Sequence, residues 1–187
     1  MSLGLDKASI HGRFQPLHLS HLEYIRAAFA QAEFLYVGIT QFRVHDLIVV
    51  PGSGTHRANP NANPLTYFER AAMISDALDE EGISRGRYTV TPFPIETPSD
   101  LPDFLPLDIP ILTTRVDEWN DNKVKLLRGL GYVVDVLYDV DPPPRSATLI
   151  RDLIVNGDPS WATQVPNAVY RYLTSLDLAP RLKRNDV

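Results

Sequence analysis

Two histidines three residues apart, His18 and His21, stand where a short apolar run gives way to a helical pattern. Arg13 lies a few residues upstream. A helix N-terminus presents free N–H groups and the positive end of the helix dipole, which both attract anions. Imidazole and guanidinium groups at that point add further donors. The stretch therefore predicts a site for phosphate, and most naturally for a polyphosphate.

A metal site is the first alternative for this histidine pair, because it would need only a third ligand and supporting contacts. His11, His45 and His56 are available in principle, but their spacing does not argue for zinc, and the chain has no cysteine. A pair of ordinary surface or core histidines is the second alternative. The position of the pair at a strand-to-helix junction favours phosphate, because α/β sheets bind ligands there.

A second candidate anion site lies near the other end of the chain. Ser146 can cap a helix, Thr148 falls in its first turn, and Arg151 follows one turn later. This arrangement would place hydroxyl groups, backbone amides and a guanidinium at one helix end. An ordinary capped amphipathic helix with a solvated Arg151 explains the same residues equally well.

The elements that must position these residues alternate between strand and helix, which predicts an α/β sheet. Ser20 with Glu23, and Thr66 with Glu69, form the S/T-x-x-E pattern of a capping box. The segment 42–65 between them is long for a loop in a compact domain, and such loops are usually functional or mobile. Strands are predicted over 7–12, 33–40, 88–92, 109–113 and 132–138, and helices over 19–31, 66–81, 101–104, 120–130, 146–155 and 160–176, the last interrupted near 166.

Composition narrows the class of protein. A length of 187 residues suits one domain over 1–187, with a C-terminal helical part at about 145–180 and a polar, frayed tail from Arg181. The net charge of −5 makes duplex nucleic acid an unsuitable partner. No apolar run reaches the length of a membrane span, and no signal-peptide pattern is present, so we expect a cytoplasmic protein with no membrane partner.

Three stretches resemble the H-x-G-H nucleotidylyltransferases. Residues 12–21 read G-R-F-Q-P-L-H-L-S-H, similar to the G-R-F-Q-P-x-H-x-G-H pattern of the archaeal-type nicotinamide mononucleotide (NMN) adenylyltransferases. Residues 63–70 resemble the N-P-F-T-x-x-E-R segment of that family. Residues 146–151 resemble its S-x-T-x-x-R motif. The stretches come in the family's order and lie towards both ends of the domain.

The resemblance implies a Rossmann-like, doubly wound sheet of about five parallel strands in the order 3-2-1-4-5. It implies transfer of AMP from ATP to a phosphorylated acceptor, NMN or nicotinate mononucleotide, with release of pyrophosphate. It also implies Mg²⁺ bound with ATP and no direct protein ligand to the metal, and it allows a homo-oligomer. The implied catalytic residues are His18, His21, Arg13 and Arg151; those at the nucleotide phosphates are Gly12, Phe14, Gln15, Ser20, Ser146 and Thr148; those at the acceptor are Thr40 and Arg70.

Two departures leave the substrates open. Ser20 stands where the family has glycine, and residues 93–102 lack the asparagine–tryptophan segment that helps those adenylyltransferases hold nicotinamide. Cytidylyl or adenylyl transfer to another phosphorylated metabolite, or a non-catalytic nucleotide-binding domain, therefore remains an alternative. A class I aminoacyl-tRNA synthetase is excluded by chain length. After the fourth strand, a capping Asn120 and a solvated Lys123 are favoured over substrate contacts.

Overall fold

The computed structural model describes residues 4–49, 58–115, 118–139 and 146–184, so His56 and part of the predicted 42–65 loop lie outside the described residues. Five parallel strands form one sheet in the order β3-β2-β1-β4-β5, which confirms the predicted order. The strands are β1 (Leu5–Gly12), β2 (Ala32–Ile39), β3 (Tyr88–Pro92), β4 (Ile111–Arg115) and β5 (Val134–Asp139). The helices are α1 (Leu19–Phe29), α2 (Tyr67–Glu80), α3 (Leu101–Phe104), α4 (Glu118–Gly129), α5 (Ala147–Val155), α6 (Asn167–Leu176) and α7 (Leu178–Arg184).

The sheet is buried on both faces, as expected for parallel strands. Ile10 on β1 and Leu35 and Val37 on β2 are fully buried in one core, which also takes the apolar faces of α1, α2, α5 and α6. A second core contains Ile111 of β4 and Leu127 of α4. Because helices cover both faces, ligands can reach the sheet only at its edges, and the carboxyl ends of the strands form the edge that carries the loops discussed below.

Local capping signals were right at two helices and wrong at a third. The Thr66 hydroxyl accepts a hydrogen bond from the Glu69 N–H, and the Glu69 carboxylate accepts one from the Thr66 N–H. Ser146 caps α5 in the predicted way. The predicted Ser20–Glu23 box is wrong, because α1 already begins at Leu19, with His18 as its cap.

The C-terminal region corrects another expectation. Residues 181–184 are not frayed as predicted, because α7 continues to Arg184, and the rest of the predicted tail lies outside the described residues. Leu178 and Leu182 are buried in the core, and the Arg181 Nη1 donates to the Glu69 Oε1 at 2.6 Å. Apolar burial and this ion pair hold the helix in place. Among the described residues, no helix is both long and apolar enough to cross a membrane.

Candidate active site

A strained turn links β1 to α1 and determines where the histidines lie. Phe14 adopts a φ of 52°, which is unusual for a bulky residue. Its ring is fully buried and lies against Gly12, where an added Cβ would come within 2.9 Å of the Phe14 Cζ. The ring also meets His21 edge to face, with centroids 4.9 Å apart. The packing of Phe14 on Gly12 therefore helps to position His21. Because Phe14 is buried, it is not exposed to a nucleotide.

His18 and His21 stack at the N-terminus of α1, with ring centroids 3.7 Å apart and planes at 22°. The His18 N–H donates to the His21 Nδ1 at 3.4 Å, a long hydrogen bond. Burial, and then the nearby His18 and Arg13, hold the pKa of His21 well below its ordinary value. A neutral His21 that accepts at Nδ1 carries its proton on Nε2. That N–H is a donor suited to a phosphate oxygen.

The predicted second anion site adjoins the first. The buried Arg151 donates from Nη1 to the backbone oxygen of Gln15 at 2.7 Å and from Nη2 to the Thr148 Oγ1 at 3.2 Å. The Ser146 Oγ accepts from the Leu149 N–H at 3.2 Å. Arg151 thus brings the first turn of α5 against the turn before α1, and two helix N-termini lie together.

Two of the residues predicted to bind ligands are occupied by the protein itself, and Gln15 is the first. Its side chain is buried, and it both donates to the Leu65 oxygen and accepts from the Leu65 N–H, each at 2.9 Å. Its amide therefore joins the turn after β1 to the end of the 42–65 segment. The predicted contact with phosphate is not available to this buried amide.

Arg70, predicted at the acceptor, is the second, and it has no exposed surface. Its guanidinium donates to the backbone oxygens of Arg13, Thr40, Gln41 and Thr66 at 2.8–3.2 Å. Three of these carbonyls adjoin strained backbone, because Arg13 precedes Phe14, Thr40 precedes Gln41, and Gln41 itself has a φ of 46°. Arg70 therefore stabilises the loops after β1 and β2, and Thr40 enters this network through its carbonyl.

Ser20 sits in the first turn of α1, directly between the two histidines. Its Oγ is buried and has no hydrogen-bond partner among the described residues. The hydroxyl is therefore not the helix cap that the sequence predicted. It is a buried polar group without a partner in the described ranges, and it adjoins the histidine pair in the sequence.

Four further residues near the carboxyl ends of the strands were not selected from the sequence: His11, Phe93, Glu96 and Lys123. His11, the penultimate residue of β1, stacks on Phe93 with centroids 4.3 Å apart and planes at 10°. Burial raises the pKa of Glu96 to about 7 although its Oε1 accepts the Gln41 N–H at 3.0 Å. Lys123 is partly buried and lies within electrostatic range of His11.

The position of Lys123 corrects an expectation. Asn120 lies inside α4, so it does not cap the helix, and its Oδ1 accepts from the Lys123 Nζ at 2.9 Å. Lys123 is partly buried and lies within electrostatic range of His11 instead of being fully solvated. The sequence features that could have pointed to these residues were a histidine near the end of β1 and a lysine on α4.

No group of three or more His, Asp or Glu side chains in the described ranges could hold a metal ion.

Comparison with known proteins agrees with this arrangement. The family described as cytidylyltransferase-like matches residues 10–153, which include both helix N-termini. A phosphonoformate cytidylyltransferase of Streptomyces viridochromogenes is 36% identical over 93% of this chain and 94% of its own length. A nicotinamide-nucleotide adenylyltransferase of Thermococcus sibiricus is 31% identical over 92% of this chain and 85% of its own length.

Solved structures share the fold. A bifunctional NMN adenylyltransferase/ADP ribose pyrophosphatase from Francisella tularensis, crystallised with AMP and a Mn ion, superposes with a TM-score of 0.67 at 17% identity. The alignment covers 97% of this chain and 53% of that one, so the present chain spans about half of the solved protein. With the family match over residues 10–153, these findings show that the chain belongs to the cytidylyltransferase-like family of H-x-G-H nucleotidylyltransferases and is a nucleotidyltransferase.

Proposed function

We propose that this enzyme transfers a nucleotidyl group from a nucleoside triphosphate to an oxygen of a small phosphorylated or phosphonylated acceptor. The observation that carries the proposal is the stacked His18–His21 pair at the start of α1, beside the N-terminus of α5. This geometry concentrates N–H donors, one neutral imidazole and one guanidinium at a single edge of the sheet. Such a set matches the charge that develops on a phosphate chain during transfer.

In the proposed reaction, an acceptor oxygen attacks the α-phosphorus of the nucleotide. The bond from that phosphorus to the bridging oxygen breaks, and pyrophosphate leaves with the electron pair. His18 and His21 donate to the α-phosphate as its charge grows, and Arg13 and Arg151 hold the β- and γ-phosphates. Ser146, Thr148 and the first N–H groups of α5 complete the phosphate site. The protein supplies no covalent nucleophile and acts by alignment and charge neutralisation.

In the proposed reaction, Mg²⁺ binds together with the nucleotide. The described site offers imidazoles, hydroxyls and guanidinium groups, which are unsuited to Mg²⁺, a cation that prefers carboxylate, phosphate and water oxygens. The phosphate oxygens of the nucleotide would hold the ion instead. When bound, it neutralises phosphate charge.

CTP and a small phosphonate are the first substrates we propose. The 36% identity to a phosphonoformate cytidylyltransferase extends over nearly all of both chains. The residues after β3 support a different acceptor from nicotinamide, because Phe93 and Ile95 are buried there and the asparagine–tryptophan segment is missing. Ser20 in place of glycine, beside the phosphate site, is consistent with a changed nucleotide preference.

ATP and NMN, or nicotinate mononucleotide, form the second candidate pair. The G-R-F-Q-P stretch and the N-P-L-T-Y-F-E-R segment support it, as does the 31% identity to a nicotinamide-nucleotide adenylyltransferase. Both candidate pairs use the same chemistry at the α-phosphate. They differ in the base and in the acceptor alone.

A pyrophosphate-release assay tests the proposal. CTP and ATP, each with Mg²⁺, are combined with phosphonoformate, NMN and nicotinate mononucleotide, and the product is identified by mass spectrometry. Release that needs both substrates supports nucleotidyl transfer, and the productive pair selects between the candidates. The control is His45→Ala, since His45 is an exposed histidine that belongs to neither α1 nor α5. Tight nucleotide binding without release from any pair would overturn the proposal in favour of a non-catalytic binding domain.

A further inference from the structure

His11 is a buried polar side chain whose two ring nitrogens have no hydrogen-bond partner among the described residues. Only 6% of the residue is exposed, and neither Nδ1 nor Nε2 has a hydrogen-bond partner in the described part of the chain. A buried group left unpaired costs about 1–3 kcal/mol, so such groups are rare in folded proteins. An apolar side chain would fill the same space without that cost. The position therefore calls for a partner from outside the chain.

Phe93 packs against His11 and forms one wall of the candidate binding site that we call the His11 pocket. One face of the ring lies parallel to Phe93, which fixes the plane of the imidazole. Phe93 itself is seated over Gly38 of β2, where an added Cβ would be 2.7 Å from the Phe93 Cδ2. The absence of a side chain at Gly38 thus allows the stack to form. Since the ring plane is fixed, the two nitrogens of His11 have fixed directions.

The pocket lies beside the phosphate site. His11 comes directly before Gly12 at the carboxyl end of β1, next to β4 where the strand order reverses. Ligands of open α/β sheets bind in the crevice at that reversal. The triphosphate of the proposed reaction occupies the α1 side of β1. A second substrate that attacks the α-phosphate is then brought close to His11.

The charge around His11 favours an anion. Burial, and then the positive charge of Lys123, hold the pKa of His11 well below its ordinary value, so the ring is neutral. A neutral imidazole offers one N–H donor and one acceptor. The Lys123 ammonium, which donates to the Asn120 Oδ1, adds a cation within electrostatic range of the ring. A planar carboxylate can accept from the imidazole N–H and pair with the lysine at the same time.

We propose that His11 and Lys123, with Phe93 as the rigid backing, bind the acceptor and select one that carries a carboxylate in addition to its phosphate or phosphonate. This inference rests on the proposed function, because it concerns the acceptor of that reaction. It applies to either candidate pair. Phosphonoformate and nicotinate mononucleotide each carry a carboxylate, whereas methylphosphonate and NMN are counterparts without one.

Steady-state kinetics with these matched acceptors test the inference. With the productive nucleotide, the wild-type enzyme should have a kcat/KM at least tenfold higher for the carboxylated acceptor than for its counterpart without a carboxylate. His11→Phe keeps the aromatic stack and removes both nitrogens; it should raise KM for the carboxylated acceptor at least tenfold and leave KM for the nucleotide unchanged. Lys123→Met should act in the same direction. His11→Asn, which retains a donor and an acceptor, should recover part of the loss, and His45→Phe is the matched control.

Calorimetric titration of phosphonoformate and methylphosphonate, with a non-hydrolysable CTP analogue bound, separates this inference from the proposed reaction. If no pair releases pyrophosphate, preferential binding of phosphonoformate to wild type and its loss in His11→Phe would still support the pocket. Equal binding of the two phosphonates by the wild type would overturn it. Equal losses for both phosphonates in a His11→Phe protein with normal thermal unfolding would also overturn it, because they would show a purely structural role.

Discussion

The guanidinium of Arg151 donates to the backbone oxygen of Gln15 at 2.7 Å and so joins residues 136 positions apart in the sequence. Through this bond, the first turn of α5 is held beside the turn that leads into α1. In the proposed reaction, the two helix N-termini act together on one phosphate chain. The bond therefore links the two motifs that the sequence places towards opposite ends of the domain.

Replacement of Arg151 by lysine should separate the effect of its positive charge from the effect of its hydrogen bonds. Lysine keeps a positive charge but cannot donate in two fixed directions to Gln15 and Thr148. We expect kcat/KM for the nucleotide to fall by about tenfold to a hundredfold, with a smaller change for the acceptor. Arg128→Lys is the control, because Arg128 also donates to a backbone oxygen, that of Val134, away from the site. Equal effects of the two substitutions would count against the phosphate role.

His18→Ala and His21→Ala should lower turnover far more than they weaken substrate binding. The two rings are proposed to donate to the α-phosphate most strongly as its charge grows, which is a contribution to the transition state. Loss of one such donor typically lowers kcat by about a hundredfold to a thousandfold. Single-turnover and steady-state kinetics measure the effect. A large rise in KM with unchanged kcat would show ground-state binding instead.

Arg70→Met should destabilise the fold whatever the reaction is. The substitution leaves the carbonyls of Arg13, Thr40 and Gln41 without this donor, whereas the Thr66 oxygen keeps the backbone N–H of residue 70. We expect a loss of roughly 3–5 kcal/mol in the free energy of unfolding, measured by urea denaturation. Arg85→Met is the comparison, because Arg85 is exposed and paired with Asp79 at the surface. It should leave the denaturation midpoint nearly unchanged, and an unchanged midpoint for Arg70→Met would contradict the structural role.

Glu96→Gln should change how stability depends on pH. The pKa of Glu96 in the folded protein, about 7, lies above its ordinary value of 4.5. The folded state therefore binds this proton more tightly, and the contribution of Glu96 to stability declines as the pH rises from about 4.5 to 7. The substitution should be nearly neutral at pH 5 and should stabilise the protein by roughly 1–2 kcal/mol at pH 8. Denaturant unfolding at both pH values tests this, and equal effects at pH 5 and pH 8 would contradict it.

Ser20→Ala should stabilise the ligand-free protein. The buried Oγ has no partner in the described residues, and alanine is a better helix former than serine. We expect a gain of about 1 kcal/mol in the free energy of unfolding, measured by urea denaturation. Ser75→Ala, in the middle of α2, is the control for helix propensity. A loss of stability in Ser20→Ala would show that the hydroxyl is hydrogen-bonded in the folded protein.

The sequence predicted those features that depend on neighbours along the chain. The alternation of elements predicted an α/β sheet, and the strand order, which the resemblance to the nucleotidylyltransferases implied, was right. The caps at Thr66 and Ser146 were right because a helix cap is a local pattern. The cap of α1 was misplaced because both His18 and Ser20 are followed, three residues later, by a side chain that can accept a hydrogen bond from the cap N–H. In the structure, the His18–His21 pair makes this hydrogen bond, and His18 is the cap.

Features that depend on distant parts of the chain could not be predicted in this way. The role of Arg70 requires carbonyls from separate loops, and the His11 pocket combines β1, the segment after β3 and α4. The α7 helix likewise depends on Glu69 of α2, which accepts the Arg181 hydrogen bond. None of these contacts has a sequence period or a spacing rule. They appear only when the strands are arranged in space.

The paired hydrogen bonds between Gln15 and Leu65 give the 42–65 segment a mechanical connection to the phosphate site. Because both bonds use the same side-chain amide, they form and break together. If a nucleotide displaces the turn after β1, Leu65 must move with Gln15 or lose both bonds at once. Leu65, at the end of this segment before α2, is therefore coupled to the turn that leads into α1.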